Sequence, residues 1–226
     1  MNLSEANLRP ALRQESAEKP IVYVVDDDDS VRVSLEWLIR RAGWQPNSFA
    51  TAGEFLAYGR SPMPSCLLLD VALPDLSGLD VQEMLAGQRE VPIIFIAGRG
   101  DVPTTVRAMK AGAVEFLVKP LYDDELLRAI PPALEISASA LRDQARLKVL
   151  HSRYSYLSSR EREVMEQIVS GQLNKQVALD LGITAGTVKV HRFNVMRKMR
   201  ANSFVDLVEM AVRLRISPGR WGFTQN

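Results

Sequence analysis

The 226-residue sequence predicts a doubly wound, five-stranded parallel α/β sheet followed by a smaller all-α domain built on a helix-turn-helix. Three observations predict it. Strand-like and helix-like segments alternate five times through the first half. Aspartates and a lysine recur where the strand candidates end, at the edge where such sheets place their sites. The second half turns basic and carries two short helical patterns across a glycine.

The first strand is Ile21-Val22-Tyr23-Val24-Val25, a run without polar alternation that reads as buried on both faces. Four carboxylates, Asp26 to Asp29, follow at once. Two like charges about 4 Å apart repel by roughly 4 kcal/mol at an effective dielectric near 20. The cluster therefore needs a counter-ion or a water-filled sheet edge. Asp29 or Ser30 is the expected N-cap of a helix whose apolar positions begin Val31, Leu35, Leu38. Further strands are expected at 45–49, 66–69, 93–96 and 115–118, and helices near 31–42, 53–58, 78–86, 103–111 and 123–129. On that layout Asp26 and Asp27 follow the first strand, Asp70 the third and Lys119 the fifth.

Three carboxylates converging in a shallow pocket make a hard oxygen site suited to Mg²⁺. With the metal and Lys119 offsetting the charge, Asp70 is the candidate nucleophile toward a phosphoryl donor, giving an acyl phosphate. A phosphatase of the haloacid-dehalogenase type uses the same nucleophile but needs a second Asp two residues on, where this chain has Ala72. Gly98-Arg99-Gly100 lacks the third glycine of a phosphate loop and reads as a turn.

Pro131 and Pro132 fall inside what should be the last helix of the sheet domain. Each removes a donor and clashes with the preceding turn, at about 3 kcal/mol or more, so a break is expected near Ala129 and Ile130. A second helix should run from about 133 to 150, with a partial apolar stripe of Ala133, Ile136, Ala140, Leu141, Leu147 and Leu150.

In the basic half, Leu157-Ser158-Ser159-Arg160-Glu161-Arg162-Glu163 contains a capping box, a hydroxyl residue with Glu three or four positions later, ahead of the stripe Val164, Ile168, Val169, which ends at Gly171. A short helix from Asn174 to Leu181 stops at Gly182, and Thr184 is the expected N-cap of the next. In that second helix Val188, His191, Val195 and Met199 should face the core, with His191 packed and hydrogen-bonded. Lys189, Val190, Phe193 and Arg197 occupy the opposite face, where a major groove would be read. Asn174, Lys175, Thr184, Thr187, Lys198 and Arg200 are the candidates for phosphate contacts and positioning.

Composition bounds the rest. Residues 20 to 135 carry 10 Lys and Arg against 17 Asp and Glu, whereas residues 156 to 220 carry 11 against 6. That asymmetry suits two domains with different partners, the basic one nucleic acid. One cysteine, Cys66, sits in an apolar run, excludes an internal disulfide and fits a reducing, cytoplasmic setting. Two histidines and one cysteine argue against zinc. Residues 1 to 19 show no signal-peptide core, and no apolar stretch approaches 18 residues.

The motifs carry a resemblance. Val-Asp-Asp-Asp (25–28), Leu-Asp-Val-Ala-Leu-Pro-Asp-Leu-Ser-Gly (69–78), Met-Lys-Ala-Gly-Ala-Val-Glu-Phe (109–116) and Val-Lys-Pro (118–120) resemble a receiver domain, the flavodoxin-like phosphate acceptor of two-component signalling. The resemblance implies Asp70 as phosphoacceptor, with Mg²⁺ held by Asp27 directly, Asp26 through water, Asp70, and the Ala72 carbonyl. It also implies Lys119 on the phosphoryl group and Phe116 at the aromatic switch position. At the other switch position receivers usually carry Thr or Ser; here it is Ala97, which has no hydroxyl for a phosphoryl oxygen, so a smaller conformational response is expected. Residues 157 to about 214 resemble the LuxR-type output domain through Leu-Ser-Ser-Arg-Glu-Arg-Glu-Val, Gly-Gln-Leu-Asn-Lys-Gln-Val-Ala, Gly-Ile-Thr-Ala-Gly-Thr-Val-Lys-Val-His and Val-Met-Arg-Lys-Met. In that family the last helix, here 204 to 214, mediates dimerisation on DNA, and Phe193 stands where relatives often carry a polar or basic reader.

Together these imply a response regulator of the FixJ/NarL type: tail 1–19, receiver 20–132, helical linker 133–155, helix-turn-helix domain 156–216 and tail 217–226. The implied partners are a sensor histidine kinase, double-stranded promoter DNA and a second copy of the chain. The alternative is a receiver-like DNA-binding regulator independent of phosphate and controlled by dimerisation or another ligand.

Overall fold

The computed structural model describes residues 19–98 and 102–216. The expected tails 1–19 and 217–226 lie, Lys19 apart, outside the described residues, as do Arg99 and Gly100 of the expected turn. The chain divides into two compact units that part between Leu141 and Arg142.

In the first unit, β1 (Ile21–Val25), β2 (Gln45–Phe49), β3 (Ser65–Asp70), β4 (Ile93–Ala97) and β5 (Glu115–Val118) alternate with α1 (Asp29–Arg41), α2 (Ala52–Ala57), α3 (Gly78–Met84) and α4 (Val102–Lys110). The strands pair in parallel in the order β2-β1-β3-β4-β5. This is the flavodoxin-like winding, whose order reverses between β1 and β3. β1, β3 and β4 are buried throughout because helices cover both sheet faces. Strand alternation separates two apolar layers. Tyr23, Val25, Leu67, Leu69 and Phe95 pack on one face, and Val22, Val24, Leu68, Ile94 and Ile96 on the other. Cys66 lies in the second layer, and burial pushes its thiol pKa up, so it is a small core residue.

Two local expectations are corrected. The N-cap of α1 is Asp28, one residue earlier than expected: its carboxylate accepts from the backbone N–H of Ser30 at 2.8 Å and of Val31 at 3.4 Å. The double proline does not end the helix. α5 runs from Asp123 to Ser155 with Pro131 and Pro132 inside it. Tertiary packing explains this: Leu126, Ala129, Ile130, Ala133 and Leu134 are all buried in the second layer. Burying three large aliphatic side chains stabilises by about 1.5–3 kcal/mol each, enough to offset two missing helical bonds. One turn beyond, buried Ser137 accepts from the Ser65 N–H at 2.9 Å and donates to the Glu90 carbonyl, fastening the helix past the prolines. Ser137→Ala should therefore strip a buried N–H of its acceptor and cost about 1–3 kcal/mol. An unchanged urea midpoint for the variant would contradict that.

The second unit comprises α6 (Ser159–Val169), α7 (Asn174–Leu181), α8 (Ala185–Met199) and α9 (Phe204–Arg213), with the end of α5. Its core gathers Val164, Met165, Ile168, Val177, Val188, Val195, Met199 and Leu207. α6 opens on the expected capping box, the Ser158 hydroxyl accepting from Glu161 N–H and the Glu161 carboxylate from Ser158 N–H. Gly182 ends α7 in the left-handed region at φ 64°, which glycine adopts without penalty. Among the described residues no helix is long and apolar enough to cross a membrane.

Candidate functional site

The first candidate site lies at the carboxyl edge of the sheet, at the β1/β3 reversal. Asp26 leaves β1, Asp70 ends β3 in the neighbouring strand, and Lys119 follows β5. Lys119 Nζ lies 2.8 Å from Asp26 Oδ2 and 2.6 Å from Asp70 Oδ2, bridging the two carboxylates. Their side chains are 1% and 6% exposed and that of Lys119 25%, so the ammonium forms much of the outer cover. The remaining oxygens are held as well: Asp26 Oδ1 accepts from Asp28 N–H at 3.0 Å, and Asp70 Oδ1 from Ala72 N–H at 2.8 Å. Asp27 stands exposed beside them, and carboxylate oxygens of Asp26, Asp27 and Asp70 all lie within 4.8 Å of one another.

Electrostatics follow from that geometry. Burial pushes the Asp26 carboxyl above the usual carboxylate range, against the pull of its bond from Lys119. Burial alone would depress the Lys119 ammonium, but its bonds to Asp26 and Asp70 carry it above an ordinary lysine. Three oxygen-donor carboxylates around one point form a donor set that fits Mg²⁺.

The surroundings hold these groups in place. Arg32 in α1 donates to the Asp26 carbonyl at 2.6 Å and pairs with Asp29. Asp75, in the loop after β3, accepts from the N–H groups of Ala52 (3.2 Å) and Gly53 (2.8 Å), tying that loop to the start of α2. Those bonds, that from Gly53 foremost, hold its carboxyl below the usual range. Gly78 lies so close behind β3 that a Cβ there would fall 2.5 Å from the Asp70 carbonyl oxygen. Arg32, Asp75 and Gly78 join the site without an expected role of their own, although the last two lie in the Pro-Asp-Leu-Ser-Gly run of the 69–78 motif. Ala97 ends β4, nearly buried, and its carbonyl accepts from Lys119 N–H at 2.8 Å. Phe116 is half-buried, with its ring 6.1 Å from that of Phe95.

The second candidate site is the outer face of α8. Thr184 caps the helix, accepting from Thr187 N–H at 3.1 Å. Val188, Val195 and Met199 are buried as expected, while Lys189, Val190, Phe193 and Arg197 are exposed together on the other side. Lys175 is exposed at the start of α7, and half-buried Asn174 accepts from Arg192 at 3.3 Å. Two residues depart from expectation. His191 is half-buried, but its Nδ1 is buried without a hydrogen-bond partner rather than bonded. Lys198 does not stand with the exposed cations; its ammonium is 2.6 Å from Glu161 Oε2 and 3.3 Å from the Tyr156 carbonyl.

That inward pair makes stability depend on pH. Burial would raise the Glu161 carboxyl, but Lys198 and the Ser158 N–H hold it below the usual range. The unfolded state then binds its proton more readily, so the contribution is full above the ordinary value of 4.5 and is lost as pH falls through the lower folded-state value. Glu161→Gln should be less stable than the parent at neutral pH, with the gap closing toward pH 3. Thermal unfolding across that range checks it, and a gap independent of pH would contradict the assignment.

A flavodoxin-like sheet with an acidic pocket at its winding reversal, joined to a helix-turn-helix, defines a signal-receiving transcription regulator. Residues 22–131 match the response regulator receiver domain, and residues 155–211 the bacterial regulatory proteins of the luxR family. The chain is 44% identical over 207 residues to response regulator protein TodT of Pseudomonas putida, covering 91% of each. It is 47% identical over 212 residues to nodulation protein W of Bradyrhizobium diazoefficiens, covering 93% of each. The structure of the response regulator StyR matches 86% of this chain and 99% of its own, with 43% identity and a TM-score of 0.72. The chain belongs to the two-component response regulators of the FixJ type, with a receiver domain and a LuxR-type output domain.

Proposed function

We propose that Asp70 accepts a phosphoryl group from a sensor histidine kinase and that the resulting acyl phosphate promotes dimeric binding of promoter DNA through α8, in the cytoplasm. The observation that carries this reading is the bridge from Lys119 to Asp26 and Asp70 at the sheet edge, with Asp27 exposed alongside. Asp26, Asp27, Asp70 and the Ala72 carbonyl would hold Mg²⁺, which when bound offsets charge on the phosphoryl oxygens. Asp70 supplies the attacking oxygen, forming the O–P bond as the donor's bond to phosphorus breaks. Lys119 must leave Asp70 Oδ2, which it now covers at 2.6 Å, and its natural new partner is a phosphoryl oxygen. The Ala72 N–H keeps the other Asp70 oxygen oriented.

Replacing the Asp70 carboxylate by an acyl phosphate of about −1.5 to −2 charge adds roughly −0.5 to −1 net, near the end of β4 where Ala97 lies. If it favours the competent state by about 2.8 kcal/mol, the population ratio changes roughly a hundredfold. On the output side, Lys189, Val190, Phe193 and Arg197 face the groove, with Asn174, Lys175, Thr184 and Thr187 toward phosphates; Lys198, committed to Glu161, serves the fold instead. Phosphotransfer from a small acyl-phosphate donor with Mg²⁺, read out as DNA binding at two salt concentrations, tests the whole reading. Enhanced, salt-dependent binding of paired half-sites is expected; binding indifferent to the donor would contradict it.

Ala97 favours a second reading, control by dimerisation or another ligand without phosphate, because no hydroxyl stands there to draw toward a phosphoryl oxygen. Failure to take up phosphate from small donors would select it. On the first reading, Ala97→Thr should enlarge the donor-driven shift from monomer to dimer in sedimentation velocity. Equal shifts for both proteins would count against a role for this position.

A further inference from the structure

We propose that Phe193 makes this regulator read a C5-methyl group on a pyrimidine in the major groove; the inference rests on α8 being the reading helix. Phe193 is 66% exposed and Val190, three residues earlier, 60%, although the core of this unit closes without either. Residues three apart on a helix are neighbours, so the two form one apolar strip. The strip is set among charges that suit DNA: Lys189 is exposed beside it, and the Arg197 guanidinium lies over the Phe193 ring, 5.9 Å from its centroid. A single exposed apolar residue needs no explanation. Two in one strip, on the face that carries the exposed cations, do.

Chemistry narrows what the strip can recognise. A phenyl ring has neither hydrogen-bond donor nor acceptor to match against the polar edges of the bases. The major-groove edge of thymine offers it an apolar group, the C5-methyl, where guanine and adenine present donors and acceptors and cytosine has only a hydrogen in place of the methyl. 5-Methylcytosine presents the same methyl beside a different exocyclic group. Arg197 covers one face of the ring, so the groove must meet its edge or its other face. Phe193 is then a specificity-determining residue that adds discrimination to the charge-driven affinity of the surrounding side chains.

The test uses the full chain. A randomised duplex pool is selected for binding, and each thymine of the recovered half-site is replaced by deoxyuridine. At any position that responds, cytosine and 5-methylcytosine are then compared. Loss of one buried methyl should weaken wild-type binding about fourfold at one thymine per half-site. Phe193→Ala should abolish that ratio, and Phe193→Leu should keep most of it; circular dichroism confirms that both variants fold. Equal ratios for the thymine–uracil and methylcytosine–cytosine pairs assign the methyl itself, and a ratio in the thymine pair alone assigns thymine as its source; both support the contact. A selected site indifferent to every uracil substitution, or a ratio undiminished in Phe193→Ala, would overturn the role of Phe193 alone. A pool that yields no sequence would overturn the reading-helix assignment as well.

Discussion

Lys119→Met should cost about 3 kcal/mol of stability and slow phosphate uptake on the order of a hundredfold. The stability loss follows from what is left behind: Asp26 and Asp70, 1% and 6% exposed, would face one another without the ammonium that now bridges them. Removing one partner of a buried pair typically costs about 3–5 kcal/mol, and the low end applies because Lys119 itself is a quarter exposed. The slower chemistry follows from losing a fixed positive charge where negative charge develops. Mg²⁺ should restore part of the stability by substituting charge for charge, and should restore it more in the variant than in the parent. Urea unfolding with and without the metal measures this. A variant as stable as the parent in metal-free buffer would show that the bridge contributes nothing.

Gly78→Ala should be the most disruptive single-methyl change at the site. The added carbon would lie 2.5 Å from the Asp70 carbonyl oxygen and 3.0 Å from the Val71 Cα, both backbone atoms that cannot swing aside. Overpacking of this kind costs about 1–3 kcal/mol. It should also displace the turn after β3, in which Gly78 N–H donates to the Val71 carbonyl and Ala72 N–H to Asp70. Stability and phosphate uptake should therefore fall together. A variant that loses stability yet takes up phosphate at the parental rate would show that the turn is not rigidly coupled to Asp70.

The two effects bear on how far the sequence could be read. Strand positions were legible because β1, β3 and β4 are apolar runs that each follow a proline and stop at an aspartate or a glycine, and the parallel winding followed from their alternation with helices. Asp26, Asp70 and Lys119 could be brought together because each ends a strand at one edge of such a sheet. Local chemistry competing over one or two residues was less legible: Asp28, Asp29 and Ser30 are all capable caps, and only the backbone geometry chose Asp28. Pro131 and Pro132 misled because local propensity is silent about burial on the far side of Ile130. The bond of Lys198 to Glu161 was hidden for a similar reason, since its partner lies 37 positions away. Gly78 and Asp75 act through backbone proximity, which spacing along the chain does not report.

The central claim, that the pocket exists to place a phosphoryl group on residue 70, is tested most directly by intact-mass measurement after incubation with an acyl-phosphate donor and Mg²⁺. The parent protein should gain one phosphoryl group, lose it on treatment that cleaves acyl phosphates, and gain none in chelator. Asp70→Asn should gain none under any condition. An Asp70→Asn protein that incorporates phosphate as the parent does, or a parent that never incorporates it while still binding DNA, would contradict the account.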